Sequence, residues 1–207
     1  MGQDKLWLDV HGTSVVGLTL RNAGAAGCFD RLVLAAPAER GDALRSLASA
    51  AGFLRVDVVE GGPRRQDSVY AALQRVEDEF VCVHDAARPL APPQLFRDVL
   101  AVAQAQGAST AAIACVDTVK RAHDGHIVET LPRAELIATQ TPQAFSTYLL
   151  KHAHEAARAD DVEGDDDSYL VERLGQQVAV VPGDPRNIKV THEQDLRLVR
   201  ALLESPV

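Results

Sequence analysis

Residues 80–89 read FVCVHDAARP, and this stretch is the most informative in the chain. An apolar run of four residues, typical of a buried strand, stops abruptly at an acid, two small residues, a cation and a proline. In an open α/β sheet, ligands bind just outside the carboxyl ends of the strands. At such an end Asp85 can hold a metal ion or a ribose hydroxyl, and Arg88 can grip a phosphate with its two-pronged guanidinium. The alternative interpretation is a strand end followed by a solvated loop.

The composition is that of an ordinary globular protein. The chain has 207 residues, enough for one domain with a sizeable core, and it is 46% hydrophobic and 24% charged. It contains no apolar run near the roughly 20 residues that a membrane span requires. Its first residues lack the basic and apolar segments of a signal peptide. We therefore expect a cytoplasmic protein without a membrane partner.

The net charge of −8 argues against nucleic acid as a partner, because a phosphate backbone attracts basic surfaces. It does not argue against a small anionic substrate, since local charge decides that binding. The three cysteines form no C-x-x-C pair, and Cys82 and Cys115 lie inside apolar runs. This pattern indicates buried free thiols in a reducing compartment.

Short apolar runs alternate with helical patterns along the chain. The predicted strands are 32–36, 56–59, 80–83, 110–114 and 177–181. The predicted helices are 13–24, 40–51, 67–77, 93–106, 146–158, 167–174 and 192–203. This alternation predicts an α/β fold with a doubly wound, mostly parallel sheet in a single domain, 1–207. We expect the last helix to begin at a capping box formed by Thr191 and Gln194.

Residues 120–129 break the alternation. They predict a β-hairpin, with Asp124 and Gly125 as its two-residue turn. Because an isolated two-stranded ribbon is only marginally stable in water, we expect this hairpin to pack on a partner subunit. A flexible surface flap is the alternative.

Polar segments follow other predicted strands as well. The stretch GGPRRQDSV at residues 61–69 combines glycines, which allow close backbone approach, with Ser68 at the start of a helix whose amides favour an anion. A simple turn with a helix cap is the alternative. After strand 110–114, Thr118 and Lys120 supply a hydroxyl and a cation.

Two later segments extend this pattern. Thr141, in the stretch TPQAF that introduces a helix, is interpreted as a cap or as a phosphate donor. Lys189, before the final helix, is either a phosphate-binding cation or a surface lysine beside a cap. Several strand ends thus carry small residues, hydroxyls and cations around a single acid. The pattern suits a nucleotide and a phosphorylated second substrate.

The remaining histidine and acidic clusters predict no metal site. His152 and His154 point to different faces of their helix, which does not suit a shared ion. The acidic run 160–167 resembles a calcium loop only in composition, and we interpret it as a helix N-terminus stabilised by carboxylates.

Taken together, these segments resemble the 2-C-methyl-D-erythritol 4-phosphate cytidylyltransferases of the non-mevalonate isoprenoid pathway. The matching stretches follow the family's order over nearly the whole chain and are 61–69, 83–89, 117–120, 141–143, 166–167 and 187–191. The resemblance implies a Rossmann-like nucleotidyltransferase fold and a homodimer built on an exchanged β-arm, here residues 118–140. It implies that CTP and methylerythritol phosphate react to give the CDP-alcohol and pyrophosphate, with Mg²⁺ or another divalent cation as cofactor.

The resemblance also implies roles for the residues that would bind CTP. Gly62 and Ser68 would help to hold the cytosine. Asp85 and Ala86 would contact the ribose and Mg²⁺, and Asp85 matches the family's metal carboxylate. Lys5 matches a lysine that contacts the triphosphate.

A second set of residues would bind methylerythritol phosphate. Arg88, Thr118 and Lys189 would surround its phosphate and hydroxyls. Arg133 and Thr141 match an arginine and a threonine that reach this phosphate from the partner subunit. The implied catalytic residues are Asp85, Lys5 and Lys189.

The N-terminus departs from the family. Family members begin with an apolar strand and a PAAGxGxR loop, and neither precedes Lys5 in this sequence. We therefore expect an N-terminally truncated chain of low activity, whose natural start lies about 20 residues upstream, as the strand and loop of such folds require. Because the missing strand is central, we expect two unpaired strand edges in the sheet.

Two other functions fit the same residues. A related cytidylyltransferase acting on another polyol phosphate, such as ribitol 5-phosphate, would share the CTP site and differ around Thr118, Arg133 and Asp165. A non-catalytic nucleotide-binding or dimerisation protein would explain a chain without the triphosphate loop.

Overall fold

A computed structural model describes residues 5–204 of the chain. The expectation about the natural start falls on residues before Lys5, outside the described part. The strands are β1 Asp9–Val10, β2 Thr13–Ser14, β3 Leu32–Ala36, β4 Val56–Glu60, β5 Phe80–Val83, β6 Ala108–Ala114, β7 Lys120–His123, β8 His126–Thr130, β9 Ile137–Ser146 and β10 Ala179–Pro182. The helices are α1 Val15–Ala25, α2 Gly41–Ala50, α3 Arg65–Leu73, α4 Pro93–Gln106, α5 Thr147–Ala159, α6 Asp167–Glu172 and α7 Glu193–Glu204. Within residues 5–204, none of these helices combines the length and apolar character of a membrane span.

The main sheet is mixed, not mostly parallel as the sequence pattern predicted. Its strand order is β10-β6-β9-β5, and β9 runs antiparallel to both of its neighbours. β10 pairs in parallel with β6, and β3 pairs in parallel with β4 in a separate two-stranded sheet. The α/β class is therefore correct, and the antiparallel strand is what the prediction lacked.

Strand β9 was missed because its sequence does not look like a strand. It contains Pro142 and Gln143, which the sequence analysis assigned to the entrance of a helix, and that helix begins only at Thr147. Proline is tolerated inside a sheet chiefly at bulges, and the pairing of β6 with β9 shifts register between Thr110 and Ala112, opposite Pro142. The buried amide of Gln143 donates to Thr110 Oγ1 at 2.9 Å.

Helices cover both faces of the main sheet. Ala144 and Phe145 are neighbours on β9, so their side chains point to opposite faces. Ala144 belongs to a buried cluster with Leu95 and Val99 of α4. Phe145 belongs to a cluster with Leu150 of α5 and with residues of α3 and α6. Both faces are therefore packed, as in α/β folds.

The β-hairpin is present with the predicted turn. β7 and β8 pair antiparallel around Asp124 and Gly125, whose φ angles of 49° and 75° are the positive values that a tight type I′ turn needs. All side chains of both strands are exposed. Among the described strands, β7 and β8 pair only with each other.

A cavity of about 530 Å³ lies between β3 and β5. Residues 32–35 of β3 and 80–83 of β5 line it from its two sides, and α1 contributes Val16, Thr19 and Leu20. In the described sheets β3 pairs only with β4, and β5 pairs only with β9. Each of these strands therefore turns an unpaired edge toward the cavity.

Helix α7 is capped by Asp195, not by Gln194 as predicted. Asp195 Oδ2 accepts hydrogen bonds from Thr191 N at 2.8 Å, Thr191 Oγ1 at 2.7 Å and His192 N at 2.7 Å. The hydrogen bond from the Thr191 hydroxyl and those from the two amides lower the pKa of Asp195 to about 2. An aspartate two residues into the helix can thus do what the sequence pattern assigned to its neighbour.

This difference leads to a test. Replacing Asp195 with Ala removes three hydrogen bonds to a charged acceptor and should lower the free energy of unfolding by about 1–2 kcal/mol. Gln194→Ala is the matched control, because Gln194 is exposed and should change that free energy by less than about 0.5 kcal/mol. Urea unfolding at neutral pH would measure both, and the reverse ranking would restore the predicted capping box.

Candidate active site

Three distant segments meet at Asp85, just beyond the carboxyl end of β5. Asp85 Oδ1 lies 2.9 Å from Nε of Arg65, the first residue of α3. Asp85 Oδ2 lies 2.7 Å from Nζ of Lys189, in the loop before α7. The Asp85 side chain is 14% exposed, so solvent or a ligand can reach it.

The two cations keep Asp85 ionised. Burial alone would raise the pKa of this carboxyl, but Arg65 and Lys189 outweigh burial and lower the pKa to about 2. At neutral pH Asp85 is therefore a carboxylate that both cations already neutralise. Its two oxygens face two different partners, one from α3 and one from the loop before α7.

The tight turn at residues 85–88 is hydrogen-bonded to the loop that carries Lys189. Arg88 N donates to the Asp85 carbonyl at 2.9 Å, and Val190 N donates to the Ala87 carbonyl at 2.8 Å. The Arg88 guanidinium crosses between the segments, where Nη1 donates to the Asn187 carbonyl at 2.8 Å. Its Nε is buried without a hydrogen-bond partner in the described structure, a feature that suits an incoming anion.

Thr141 lies on β9 and supports Asp85 within the same chain. Its Oγ1 accepts a hydrogen bond from Asp85 N at 3.0 Å and lies 3.0 Å from His84 Nδ1. His84 Nε2 lies 3.2 Å from the Arg88 carbonyl. Because a carbonyl only accepts, Nε2 carries the imidazole hydrogen, and Nδ1 accepts the Thr141 hydroxyl hydrogen. The Thr141 hydroxyl is therefore hydrogen-bonded to both neighbouring residues, and it helps to position Asp85.

His84 is a structural residue that the sequence analysis quoted without a role. Its ring packs edge-on against Phe96, with centroids 4.8 Å apart. Burial lowers the pKa of His84 to about 4, so the imidazole is neutral at physiological pH. No sequence signal identified this residue, since histidine is intermediate in burial and its type alone predicts neither an exposed nor a buried side chain.

Gly62 and Ser68 meet at the start of α3. Gly62 N donates to Ser68 Oγ at 3.1 Å, which ties the glycine turn to the first turn of the helix. A Cβ atom at Gly62 would lie 2.4 Å from Asp67 Cβ, so this close approach requires glycine. Ser68 also lines the cavity between β3 and β5, as do Asp85 and Ala86.

Lys5 joins the same side of the molecule. It begins a short 3₁₀ turn, Lys5–Trp7, and its Nζ donates to the carbonyl of Thr191, two residues beyond Lys189. The predicted residues Lys5, Arg88, Thr141 and Lys189 therefore all lie in segments that converge on Asp85.

Thr118 and Arg133 lie elsewhere, at the base of the hairpin. Thr118 is exposed, just before β7. Arg133 is exposed after β8, and its Nη1 donates to the Val116 carbonyl at 2.6 Å. The structure thus separates these two predicted residues from those that surround Asp85.

Two charged residues behind Asp85 were not predicted from the sequence. Arg65 and Asp167 both lie in stretches that match the family, 61–69 and 166–167, but neither was assigned a role. Arg65 Nη1 lies 2.8 Å from Asp167 Oδ2, which makes Arg65 a bridge between two carboxylates. Burial lowers the pKa of Arg65, but Asp167 and Asp85 outweigh burial and raise that pKa, so the guanidinium stays charged.

Metal ligands are sparse in the part of the chain that the structure describes. Residues 5–204 contain no group of three or more His, Cys, Asp or Glu placed to hold an ion. His152 is exposed and His154 is buried, in agreement with the prediction that they point to different faces. Any metal at this site would therefore depend on Asp85 together with the oxygens of a ligand.

Comparisons with known proteins identify the family of this chain. The sequence model of IspD, 2-C-methyl-D-erythritol 4-phosphate cytidylyltransferase, matches residues 1–205. A protein of that name from Bacillus mycoides (strain KBAB4) is 40% identical over 204 residues, which cover 98% of this chain and 90% of the relative.

Solved structures extend the agreement to the fold. The 4-diphosphocytidyl-2C-methyl-D-erythritol synthase of Anaerococcus prevotii superposes with a TM-score of 0.90 at 28% identity, over 97% of this chain and 93% of that one. The 2-C-methyl-D-erythritol 4-phosphate cytidylyltransferase of Thermus thermophilus gives 0.83 at 34% identity, over 97% and 94%. The resemblance inferred from the motifs is confirmed, and this chain belongs to the 2-C-methyl-D-erythritol 4-phosphate cytidylyltransferase family.

Proposed function

We propose that this chain transfers the cytidylyl group of CTP to 2-C-methyl-D-erythritol 4-phosphate and releases pyrophosphate. The observation that carries the proposal is one ionised carboxylate, Asp85, with Arg65, Arg88 and Lys189 around it at the end of β5. A cationic site of this kind suits two phosphorylated substrates. The names of the Bacillus and Thermus relatives support the choice of these two substrates.

The reaction requires positioning and charge neutralisation more than covalent catalysis. A phosphate oxygen of the sugar alcohol attacks the α-phosphorus of CTP in line, and the bond to the bridging β-phosphate oxygen breaks. Two polyanions repel each other, so cations that hold them together lower the barrier. We propose that Lys189 and Arg88 bind the second substrate's phosphate, and Lys5 contacts the loop of Lys189 at the Thr191 carbonyl. No nucleophilic side chain is needed.

We propose Mg²⁺ as the cofactor, held by Asp85. Magnesium at nucleotide sites is commonly bound by one or two carboxylates and the substrate's phosphates, and the ionised Asp85 fits that requirement. The ion would supply charge neutralisation at the phosphates. Lys189 pairs with Asp85 Oδ2 in the described structure, and an arriving phosphate offers this lysine an alternative anionic partner.

The role of Asp85 can be tested by substitution. Asp85→Asn should lower kcat by at least about 100-fold, because the site loses its one ionised carboxylate. Asp42→Asn is the matched control, since Asp42 is fully exposed on α2 and should leave kcat unchanged. Pyrophosphate release would be followed with CTP and either methylerythritol phosphate or ribitol 5-phosphate. Near-normal turnover of Asp85→Asn would refute the role, and a preference for ribitol 5-phosphate would refute the substrate.

We further propose that the sheet is doubly wound and Rossmann-like, with one more strand between β3 and β5. Both strands turn unpaired edges toward the cavity. Its lining is largely apolar and includes Asp85. Unpaired backbone groups of two facing edges are best satisfied by an extended peptide. A glycine-rich loop after such a strand would lie beside Asp85, where a triphosphate needs amides.

This proposal predicts a gain from an added strand. A chain extended at its N-terminus by the family's apolar strand and glycine-rich loop should melt at a higher temperature and bind CTP with Mg²⁺ more tightly in a thermal-shift assay. A Gly/Ser-rich extension of the same length is the control and should change neither. If both extensions behave alike, the strand proposal is wrong and a non-catalytic protein becomes the better interpretation.

We also propose a homodimer that forms through the β-arm, residues 118–140, which includes the hairpin of β7 and β8. Ile127 and Val128 are adjacent on β8, where the pairing with β7 shifts register, and they are 67% and 58% exposed. Exposed apolar side chains on such a ribbon favour burial against a second copy. Thr118 and Arg133 at its base would then reach the partner's substrate.

Mixed dimers would test a site shared between subunits. Arg133→Ala and Arg88→Ala chains should each be inactive alone, because each removes one cation from every site. Mixed in equal amounts and allowed to exchange, they should regain about a quarter of the wild-type activity, since random pairing leaves one intact site in half of the dimers. No recovery, although the chains exchange, would show that both residues serve a site within one chain.

A further inference from the structure

A partly buried network of polar side chains extends behind Asp85, and the proposed reaction gives no role to its inner members, Asp167 and His154. It runs from Asp85 to Arg65, then to Asp167 and finally to His154. Asp167 and His154 are 1% and 0% exposed, on α6 and α5. The network therefore connects the candidate site to the interior of the α3, α5 and α6 layer.

Arg65 is held on both sides. Its Nε lies 2.9 Å from Asp85 Oδ1 and its Nη1 lies 2.8 Å from Asp167 Oδ2. The guanidinium is planar and rigid, so two carboxylates at different nitrogens determine its orientation. Its third nitrogen, Nη2, is buried without a hydrogen-bond partner in the described structure. The arrangement thus serves the two carboxylates and leaves part of the hydrogen-bonding capacity of Arg65 unused.

His154 holds the far end of the network. Its Nε2 lies 2.9 Å from Asp167 Oδ1. Because a carboxylate only accepts, Nε2 donates, and Asp167 has one oxygen for His154 and the other for Arg65. His154 also stacks on Tyr70 of α3, with centroids 6.3 Å apart. Its ring is therefore fixed between the carboxylate and α3.

Such a network is a costly way to fill a core. Burying charged and polar groups gains less than burying apolar groups of the same shape, so a buried ion pair by itself is weak evidence of added stability. Asp167 and His154 are surrounded by well-packed clusters that include Leu150, Leu170 and Val171, where an apolar side chain would also pack. What the network supplies that apolar residues would not is a fixed direction for the Arg65 guanidinium.

We propose that Arg65 is a positioning residue for Asp85, and that Asp167 and His154 hold it in place. Arg65 keeps Oδ1 of Asp85 engaged, so that Oδ2, which pairs with the more exposed Lys189, is the oxygen that ligands reach. This inference rests on the proposed function, because it assumes that Asp85 acts in cytidylyl transfer. It adds three residues to the machinery, none of which touches the reacting atoms.

Steady-state kinetics of Arg65→Lys would test the inference. Lysine keeps the charge but cannot bridge two carboxylates, so kcat should fall about 100-fold, the loss expected for a misplaced catalytic group. KM for both substrates should stay within about threefold, because lysine keeps the positive charge that Arg65 contributes to ground-state binding. Arg64→Lys is the matched control, since Arg64 precedes Arg65 and pairs with Asp67 near the surface. This control should leave kcat unchanged.

A double-mutant cycle would separate positioning from simple stabilisation. Asp167→Asn keeps the shape of the side chain and should lower kcat at least about tenfold, whereas the double variant Arg65→Lys/Asp167→Asn should be no slower than Arg65→Lys alone. If the two substitutions acted independently, their losses in kcat would instead multiply. Melting temperatures show whether each variant is folded, and if Arg65→Lys fails to fold, Asp167→Asn and His154→Gln carry the test through the same split of kcat against KM.

The outcomes distinguish the inference from the function on which it rests. If Asp85→Asn abolishes turnover and Arg65→Lys does not lower kcat, the positioning role is wrong and the function stands. If Asp85→Asn leaves turnover normal, the assumed role of Asp85 fails first. Multiplying losses in the double variant, or a loss confined to KM, would also overturn the positioning role.

Discussion

The ion pairs of Asp85 are the interactions on which the candidate site depends. They join the end of β5 to the start of α3 through Arg65, and to the loop before α7 through Lys189. These segments are far apart in sequence, and each presents one charge. An isolated charge at the largely buried position of Asp85 would be costly, and the two more exposed cations offset this cost. The site is therefore a product of charge compensation as much as of loop geometry.

A chain of hydrogen bonds supports the loop that carries Asp85. Thr141 accepts from the Asp85 amide and donates to His84, while His84 donates to the Arg88 carbonyl. The backbone of the loop that carries Asp85 is thus held by neutral hydrogen bonds, and the Asp85 carboxylate is held by ion pairs. Within residues 5–204 no backbone amide donates to the carboxylate itself, so its partners there are cations that substrates can compete for.

The fold places this centre where two sheets approach each other. β3 and β5 both end near Asp85 but do not pair, and a cavity of about 530 Å³ separates them. Helices cover both faces of the main sheet, so its interior is otherwise closely packed. The cavity, the unpaired edges and the cationic centre are consequently parts of one region of the molecule.

Local signals in the sequence were enough to predict much of the secondary structure of this protein. Helix α4 runs over the predicted residues 93–106, because Pro93 suits a first turn and Gly107, with φ of 91°, ends it. Strands 32–36 and 80–83 and the hairpin turn were likewise predicted, since their patterns are local. The motif stretches together identified the family. Tertiary structure alone decided that Pro142 and Gln143 lie in a strand, because a bulge and buried amide partners override strand propensity there. It alone decided that Arg65, Asp167 and His154 meet, because ion pairs between distant residues depend on how helices pack and leave no periodic trace in the sequence.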